Sequence, residues 1–324
     1  MYDFCVIGSG FSGSTVSNLL SKKYKVCLID KGRGPGGRSS NRRLKKNLSF
    51  DHGLQYLSPK SKKFKNFLNK LFKKKVIKVW EGNHLDFTFK KKVYDNKYVG
   101  RKSNNDPIKY QIKGINQVYS TTIKRIKYKN FFWEILSADD SIYRSKSLII
   151  TCPFPQLKKN AKKYLSRKIL NLNVKMQPNI TVMLGIKNKS NHEISSIKFD
   201  DDVLSWAANE NSKKRFKTNY DLWTLQASLK WSKLNINSFK KNSSAKNYLI
   251  SKFLSLTGIK KQKIFFKSIH GWRYSYNYHK TSFLSFWNKK ISLGVCGDWL
   301  SGPKAENAYL SVVDLYEKIK KNPL

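Results

Sequence analysis

Acidic side chains are in short supply. Asp and Glu number 20 against 65 Lys and Arg, leaving a formal charge of +45 on 324 residues. An excess of that size ordinarily points to nucleic acid or an anionic membrane surface. The basic residues, however, run through almost every segment, and Lys greatly outnumbers Arg. A specific nucleic-acid reader concentrates Arg and stacking aromatics on one surface, so a specific nucleic-acid partner is not expected. Two explanations of the charge stay open: a bias toward Lys and Asn throughout the composition, or a surface that attracts anionic, nucleotide-like substrates. Cysteine is scarce too. Cys5, Cys27, Cys152 and Cys296 are scattered, with no C-x-x-C pair, and each lies in or beside a strand-like run. They read as buried thiols of a reduced, cytoplasmic protein rather than as a disulfide framework. Histidine occurs five times, and His, Cys, Asp and Glu show no metal-ligand spacing, so no metal is expected. No G-x-S-x-G or similar nucleophile motif occurs. No apolar run is long enough to span a bilayer, and Met1 leads straight into a strand, leaving no room for a signal peptide. Internal repeats and low-complexity linkers are also missing.

What is present is concentrated at the start. Tyr2-Asp3-Phe4-Cys5-Val6-Ile7 reads as a buried strand, and Gly8-Ser9-Gly10-Phe11-Ser12-Gly13 follows at once. An amphipathic segment with Phe11, Val16, Leu19 and Leu20 on one face comes next. Lys25 to Ile29 is a second apolar strand, closed by Asp30, 20 residues after Gly10. Strand, glycine turn, helix, strand and acid is the order of a dinucleotide-binding βαβ unit. Gly8 allows the tight turn, Gly10 lets the backbone approach a pyrophosphate, and Gly13 lets the helix pack close to the strand. The helix N-terminus offers free N–H groups and a positive dipole end to phosphates. Asp30 is placed to accept hydrogen bonds from a ribose.

Directly after Asp30 comes a second glycine-rich, basic loop, Lys31-Gly32-Arg33-Gly34-Pro35-Gly36-Gly37-Arg38-Ser39-Ser40. A nicotinamide-binding Rossmann domain has no need of it. The R-x-x-G-G-R pattern of Arg33, Gly36, Gly37 and Arg38 resembles the second dinucleotide motif of the amine-oxidase-like flavoproteins. Asp51-His52-Gly53-Leu54-Gln55-Tyr56 is similar to the D-x-G-x-Q-Y segment of renalases, bacterial ones included. His270-Gly271-Trp272-Arg273-Tyr274-Ser275 resembles their H-x-W-R-Y-S signature. Gly294-Val295-Cys296-Gly297-Asp298-Trp299, with the helix from Ala305 to Ile319, resembles the C-terminal flavin motif. The resemblance extends to Cys152-Pro153-Phe154-Pro155-Gln156, to Ser205 to Asn209 and to Trp223 to Ser232. It departs after Tyr98-Val99-Gly100-Arg101, where Ser103-Asn104-Asn105-Asp106-Pro107 replaces an apolar helix start.

Between these motifs, Lys60 to Lys75 has the spacing of a helix with a basic outer face, expected to cover the first domain rather than lie on a membrane. Val79-Trp80, Phe87-Thr88-Phe89 and Val93-Tyr94 read as short strands. Val118 to Ile150 reads as three strands, Ile180 to Ile186 and Trp223 to Ala227 as alternating strands of one half-buried sheet. Tyr248 to Leu256 marks a helix, and Ile264 to Ile269 a final strand, with His270 ahead of a Gly-Trp turn.

The expected fold is therefore α/β: a Rossmann-like FAD-binding domain (1–75, 110–165 and 280–324) interleaved with a sheet-based substrate domain (76–109 and 166–279). The resemblance implies noncovalent FAD as cofactor, held by Gly8, Gly10, Phe11, Ser12, Gly13, Asp30, Lys31, Arg33, Gly36, Gly37, Arg38, Gln55, Tyr56, Gly297, Asp298, Glu306 and Ala308. Asp298 would hold a ribityl or ribose hydroxyl, and the last helix would point its dipole at the flavin. Cys296, inside a strand, reads as a buried thiol rather than a flavin attachment point. His270, Trp272 and Arg273 are the candidates on the substrate side: an orienting group, a wall and a phosphate anchor. The implied reaction is oxidation of 2- or 6-dihydroNAD(P) isomers, with O2 reduced to H2O2 and the cofactor carrying the chemistry. Two alternatives remain: an amine oxidase or dehydrogenase on the same fold, and a basic flavoprotein associated with nucleic acid or a membrane. The sequence does not fix the oligomeric state.

Overall fold

The computed structural model describes residues 1–44, 48–87, 91–92, 96–187, 193–241, 243–259 and 263–321. The chain starts with β1 (Tyr2–Ile7), α1 (Phe11–Leu20) and β2 (Val26–Ile29). β1 and β2 are parallel, in register from Phe4 opposite Val26 to Ile7 opposite Ile29. β2 is buried along its whole length, which is why it reads as a continuous apolar run rather than an alternating one. Two short ribbons and the first covering helix follow: β3 (Asn41–Arg43) with β4 (Ser49–Asp51), then α2 (Lys62–Lys73), then β5 (Ile77–Val79). Ser61 caps α2 by accepting from Phe64 N at 3.3 Å, and Phe64, Leu68 and Leu71 bury its apolar stripe. The helix covers the first domain, with its lysines outside.

β6 (Asn83–Asp86) and β7 (Lys91–Lys92) lead to β8 (Tyr98–Gly100), which pairs with β5. The predicted strand residues Thr88, Phe89, Val93 and Tyr94 lie outside the described residues. α3 (Asp106–Gln111) spans the expected change of domain near residue 110, and its Ile108 packs into the first core. β9 (Asn116–Val118), β10 (Ile123–Lys129), β11 (Phe132–Ser137) and β12 (Ile142–Ile150) extend the first sheet, with β9 and β10 at its two ends. α4 (Phe154–Ala161) and α5 (Arg167–Leu170) cross its second face.

The second sheet is built from β13 (Gln177–Lys187), β14 (Ile194–Lys198), β15 (Leu204–Asn209) and β16 (Tyr220–Ala227). α6 (Leu229–Asn235), α7 (Ser243–Thr257) and β17 (Ile264–Tyr276) follow. The chain then returns with β18 (Ser285–Asn288), β19 (Leu293–Cys296) and α8 (Ala305–Lys321). The first sheet runs β10-β11-β12-β1-β2-β9, with β19 beside the end of β12 and β18 beyond it; the second runs β17-β13-β16-β15-β14-β6-β7.

Strand alternation fixes what each face does. In the first sheet Phe4, Val6 and Leu28 meet α1 and α8, while Cys5, Ile7, Cys27 and Ile29 meet α4. In the second, Ile180, Val182, Leu184, Trp223 and Leu225 bury one face against α6 and α7. Met183 and Leu222 on the other face pack against Leu48 and Phe50 of the first half. The two domains therefore meet through the site face of the second sheet.

β17 corrects one expectation. It runs seven residues past Ile269, to Tyr276, and Gly271-Trp272 is strand rather than turn. Its glycine is still needed, because a Cβ on Gly271 would lie 2.5 Å from the Phe239 ring. Cys296 is buried in β19, and burial raises its thiol pKa. Among the described residues no helix is long and apolar enough to cross a membrane.

Candidate functional site

The glycine turn sits where β1 gives way to α1. Gly8 has φ +104°, a backbone that favours glycine, and its N–H donates to Ile29 O at 2.8 Å. A Cβ on Gly13 would fall 1.7 Å from Gly8 O, so helix and turn touch backbone to backbone. Gly10 differs: a Cβ there would meet nothing within 4 Å. It is the N-cap of α1 and no side chain caps the helix, which leaves the first N–H groups without a capping acceptor, the arrangement that receives an anion. Asp30 reaches back to this turn, accepting from Ser9 N at 2.5 Å and Gly32 N at 2.6 Å. A carboxylate has about four acceptor sites, so this bracing leaves room for ribose hydroxyls.

The second glycine loop lies on top of the first. Gly36 N donates to Ser9 O at 3.0 Å, and a Cβ on Gly37 would sit 3.1 Å from Gly10 Cα. Arg38 then spans the molecule. Its guanidinium donates to both oxygens of Asp298, at 2.8 and 2.5 Å, and to Ser275 O at 2.7 Å. Two residues read as separate cofactor contacts are thus one bidentate pair joining the second loop, β17 and the C-terminal motif.

Across from the glycine loops lies the segment Asp51 to Tyr56, whose backbone carbonyls are claimed by side chains from both domains. Trp272 Nε1 donates to His52 O at 2.9 Å, Gln226 Nε2 to Gly53 O at 2.8 Å, and Asn104 Nδ2 to Leu54 O and Gln55 O at 2.8 and 2.7 Å. Gln55 turns its own amide N–H groups onto Asp51 O and Gly53 O, leaving Oε1 buried without a partner. His52 stacks on Trp272 at 5.2 Å, and His270 lies edge-on to both rings. Burial, and then the neighbouring His270, holds the His52 pKa down to about 4. Burial also lowers that of His270, with Lys240 and Arg42 adding to it. Both imidazoles are neutral at pH 7 and act as uncharged walls.

Beneath this segment is a group that sequence reasoning missed. Asp51, Glu210, Lys213 and Arg215 are buried together. Lys213 Nζ donates to Asp51 and Glu210 at 2.9 Å each, and Arg215 donates to Asp51, to Asn104 Oδ1 at 2.8 Å and to Gly100 O at 3.0 Å. Two carboxyl groups face two cations, and burial pushes the Glu210 pKa up. Burial alone would raise the Asp51 pKa, but Arg215 and Lys213 outweigh it and hold the carboxyl well below the usual range. In Lys213-Lys214-Arg215 the sequence shows only another basic run, and nothing in it marks Lys213 as 1% exposed. Asn104, in the corner that departs from the family pattern, turns out to bind five partners: Leu54 O, Gln55 O, Asp51, Arg215 and Gly100 N.

Residues 6–71 match the family described as an NAD(P)-binding Rossmann-like domain. Over 53 residues the chain is 40% identical to an uncharacterized protein of Methanocaldococcus jannaschii; the match covers 16% of this chain and 14% of that protein. Among solved structures, one assigned as a protoporphyrinogen oxidase from Exiguobacterium sp. 255-15 superposes with a TM-score of 0.77 at 8% identity, covering 99% of each chain. A redesigned double mutant of putrescine oxidase superposes with a TM-score of 0.71 at 9% identity, also covering 99% of each. The fold is that of these oxidases. It is a mixed α/β, two-domain architecture carrying a Rossmann-like dinucleotide domain, as the sequence implied.

Within that fold the predicted residues separate. Gly8, Gly10, Gly13, Asp30, Gly36, Gly37, Arg38 and Asp298 form or brace the two glycine loops, whereas Gln55 bonds within its own segment and Gly297 N donates to Ser311. Phe11 contributes backbone only, its ring packing on Phe64 and Phe67. Lys31 and Arg33 are exposed on the outer loop. Tyr56 lies against Trp80 and Trp206. Glu306 points to the start of α2 instead, where its carboxylate accepts from Lys60 N and Ser61 N, and Ala308 packs in the core. Strand alternation puts His270 and Trp272 on the site face of β17, opposite Thr181 and Asn179. The same alternation turns Arg273 to the other face, where it is exposed and donates to Asn237 Oδ1 at 2.9 Å. It is not positioned as a phosphate anchor in this site.

Proposed function

We propose that the chain is an FAD-dependent oxidoreductase of the renalase-like kind, oxidising 2- and 6-dihydro isomers of NAD(P). One observation carries the reading: the Arg38–Asp298 pair locks the second glycine loop and the C-terminal motif over the open turn at Gly10. A nicotinamide-only domain requires neither element. The residues fit a dinucleotide cofactor. Gly10 leaves its approach open, the α1 N-terminus lacks a side-chain cap, and Gln55 Oε1 is a buried acceptor still without a donor.

FAD, when bound, would supply the two-electron chemistry by which the substrate's hydride and one proton from solvent reduce O2 to H2O2. The protein's part is to hold and exclude. The α1 N-terminus and Gly10 receive the pyrophosphate, and Asp30 receives the ribose. The clamped Asp51–Tyr56 segment, with Trp272 and His52, forms an uncharged wall at the domain junction. Neither imidazole is protonated at neutral pH, and a substrate that leaves as an aromatic cation needs no base. Tyr56, Trp80 and Trp206 form an aromatic cluster that favours an amine as the second reading, since aromatic faces attract ammonium groups. Lys97 weighs against it: its Nζ lies over the Tyr56 ring at 5.5 Å and would repel a cationic substrate.

Anaerobic titration of the purified yellow protein tests the proposal. Rapid bleaching by 2- or 6-dihydroNAD(P), with slow or no bleaching by 4-dihydro forms and amines, is the expected result. Rapid bleaching by an amine, without response to any dihydronicotinamide, overturns it in favour of the amine reading.

A further inference from the structure

A cleft of about 310 Å3 lies on the edge of the first sheet, away from the glycine loops. It is lined by Lys124, Arg125 and Ile126 of β10 and by Lys159, Asn160, Lys162 and Lys163 at the end of α4 and the 3-10 turn after it. Five of the seven are cations and none is an acid. We propose that this cleft is a binding site for a short chain of phosphates, such as a nucleoside triphosphate carries.

Two features show that the cleft is built rather than a chance gathering on a basic surface. Consecutive strand residues normally point to opposite faces, which would part Lys124 from Arg125. A bulge prevents this: Ile123 pairs with Ser137 but Arg125 with Leu136, so Lys124 is the extra residue and both cations line the cleft. The second wall is tied to the first by Tyr164, whose hydroxyl accepts from Tyr128 N of the edge strand at 3.0 Å. Lys124 is partly offset by Asp140 at 3.3 Å, a pair exposed on both sides. The other four have no ion-pair partner among the described residues.

The competing explanation is the helix dipole, which attracts lysines to the end of α4. It amounts to about half a negative charge there and acts within the last turn. It accounts for Lys159, not for two cations brought in by a bulge on another element, and five full positive charges exceed it. A phosphate chain is narrow enough to lie in a recess between a strand and a helix. Arg125 offers a planar fork to phosphate oxygens, and the lysines act as point charges.

Calorimetric titration with inorganic tripolyphosphate, at about 0.15 M salt where screening sets in beyond about 8 Å, tests the proposal. One variant combines Lys159→Gln, Lys162→Gln and Lys163→Gln. A control removes the same charge from the exposed face of α2 through Lys62→Gln, Lys63→Gln and Lys65→Gln. Saturable binding that weakens roughly tenfold or more in the cleft variant and less than about twofold in the control is the expected result, since exposed charges outside a site act only through a screened field. No saturable binding, or equal weakening in both variants, overturns it. So does an oligothymidylate that outcompetes tripolyphosphate and loses affinity equally in both, because the phosphates recognised would then be those of a nucleic-acid backbone held by diffuse charge.

Discussion

The glycine turn and the buried ion group under Asp51 both hold loops of the candidate site, yet they do so by opposite means. At the turn, residues 8 to 38 organise themselves through backbone contacts between near neighbours, with Gly13 touching Gly8 and Gly36 donating to Ser9. Under Asp51, side chains from residues 51, 104, 210, 213 and 215 meet only after both domains have formed. The first device leaves open space above Gly10; the second fills its space completely. An open backbone cradle can receive a ligand with little rearrangement, whereas a filled ionic junction sets the position of one domain against the other.

Removing a partner from the ionic junction should have the largest effect. Lys213→Met strands the two carboxylates it bridges, and breaking a buried ion pair this way costs about 3–5 kcal/mol. Urea denaturation should show a loss of that size. A loss below about 1 kcal/mol would mean that water reaches the group and the contrast with the turn fails.

The pH dependence comes next. His52 has a folded-state pKa of about 4, lower than in the unfolded chain, so the unfolded state binds the proton first. Its contribution is therefore fully present above the ordinary histidine value of about 6.5 and is lost as pH falls toward 4, a difference of roughly 3 kcal/mol. His52→Gln should flatten that part of the stability profile, measured by thermal unfolding between those limits. An unchanged slope would show that the histidine is solvated.

The two glycines of the turn should respond differently from each other. Gly13→Ala forces a methyl against Gly8 O and should cost about 1–3 kcal/mol, the usual range for overpacking. Gly10→Ala meets no protein atom, so stability should change by less than about 1 kcal/mol while flavin retention through gel filtration falls. Equal stability losses would mean that the space over Gly10 is closed in solution. Smallest of all is Arg273→Ala. The side chain is exposed and, among the described residues, bonds only Asn237, so stability should stay within about 0.5 kcal/mol and flavin retention should not move. A loss of cofactor on this substitution would restore the residue to the site.

The residues that proved readable share a physical property. Gly8, Gly10, Gly13 and Asp30 act through local backbone geometry, so their spacing along the chain carries their arrangement in space. His270 and Trp272 were readable as neighbours of a site, but which neighbours pointed in was not. The strand continues past Ile269, and its period of two sends Arg273 to the opposite face. Glu306 was misplaced for a similar reason. Its position in the first turn of the last helix suits a dipole, yet that turn lies against the start of α2, where two unpaired N–H groups await an acceptor.

The sequence by itself determined the βαβ unit, the second glycine loop and the strand-helix ending at Asp298, because each is set by contacts within a few tens of residues. It also determined the α/β, two-domain architecture, because apolar runs and alternating strands require two sheets with different burial. Only the tertiary structure decided that Arg38 and Asp298 are one pair, that Asn104 holds the loop at Gln55, and that Lys213 is buried while its neighbour Lys214 stays in water. Lysines so numerous look alike in one dimension. Whether one is a solvated charge or half of a buried ion pair depends on a carboxylate 162 positions away in the chain, and only folding brings the two together.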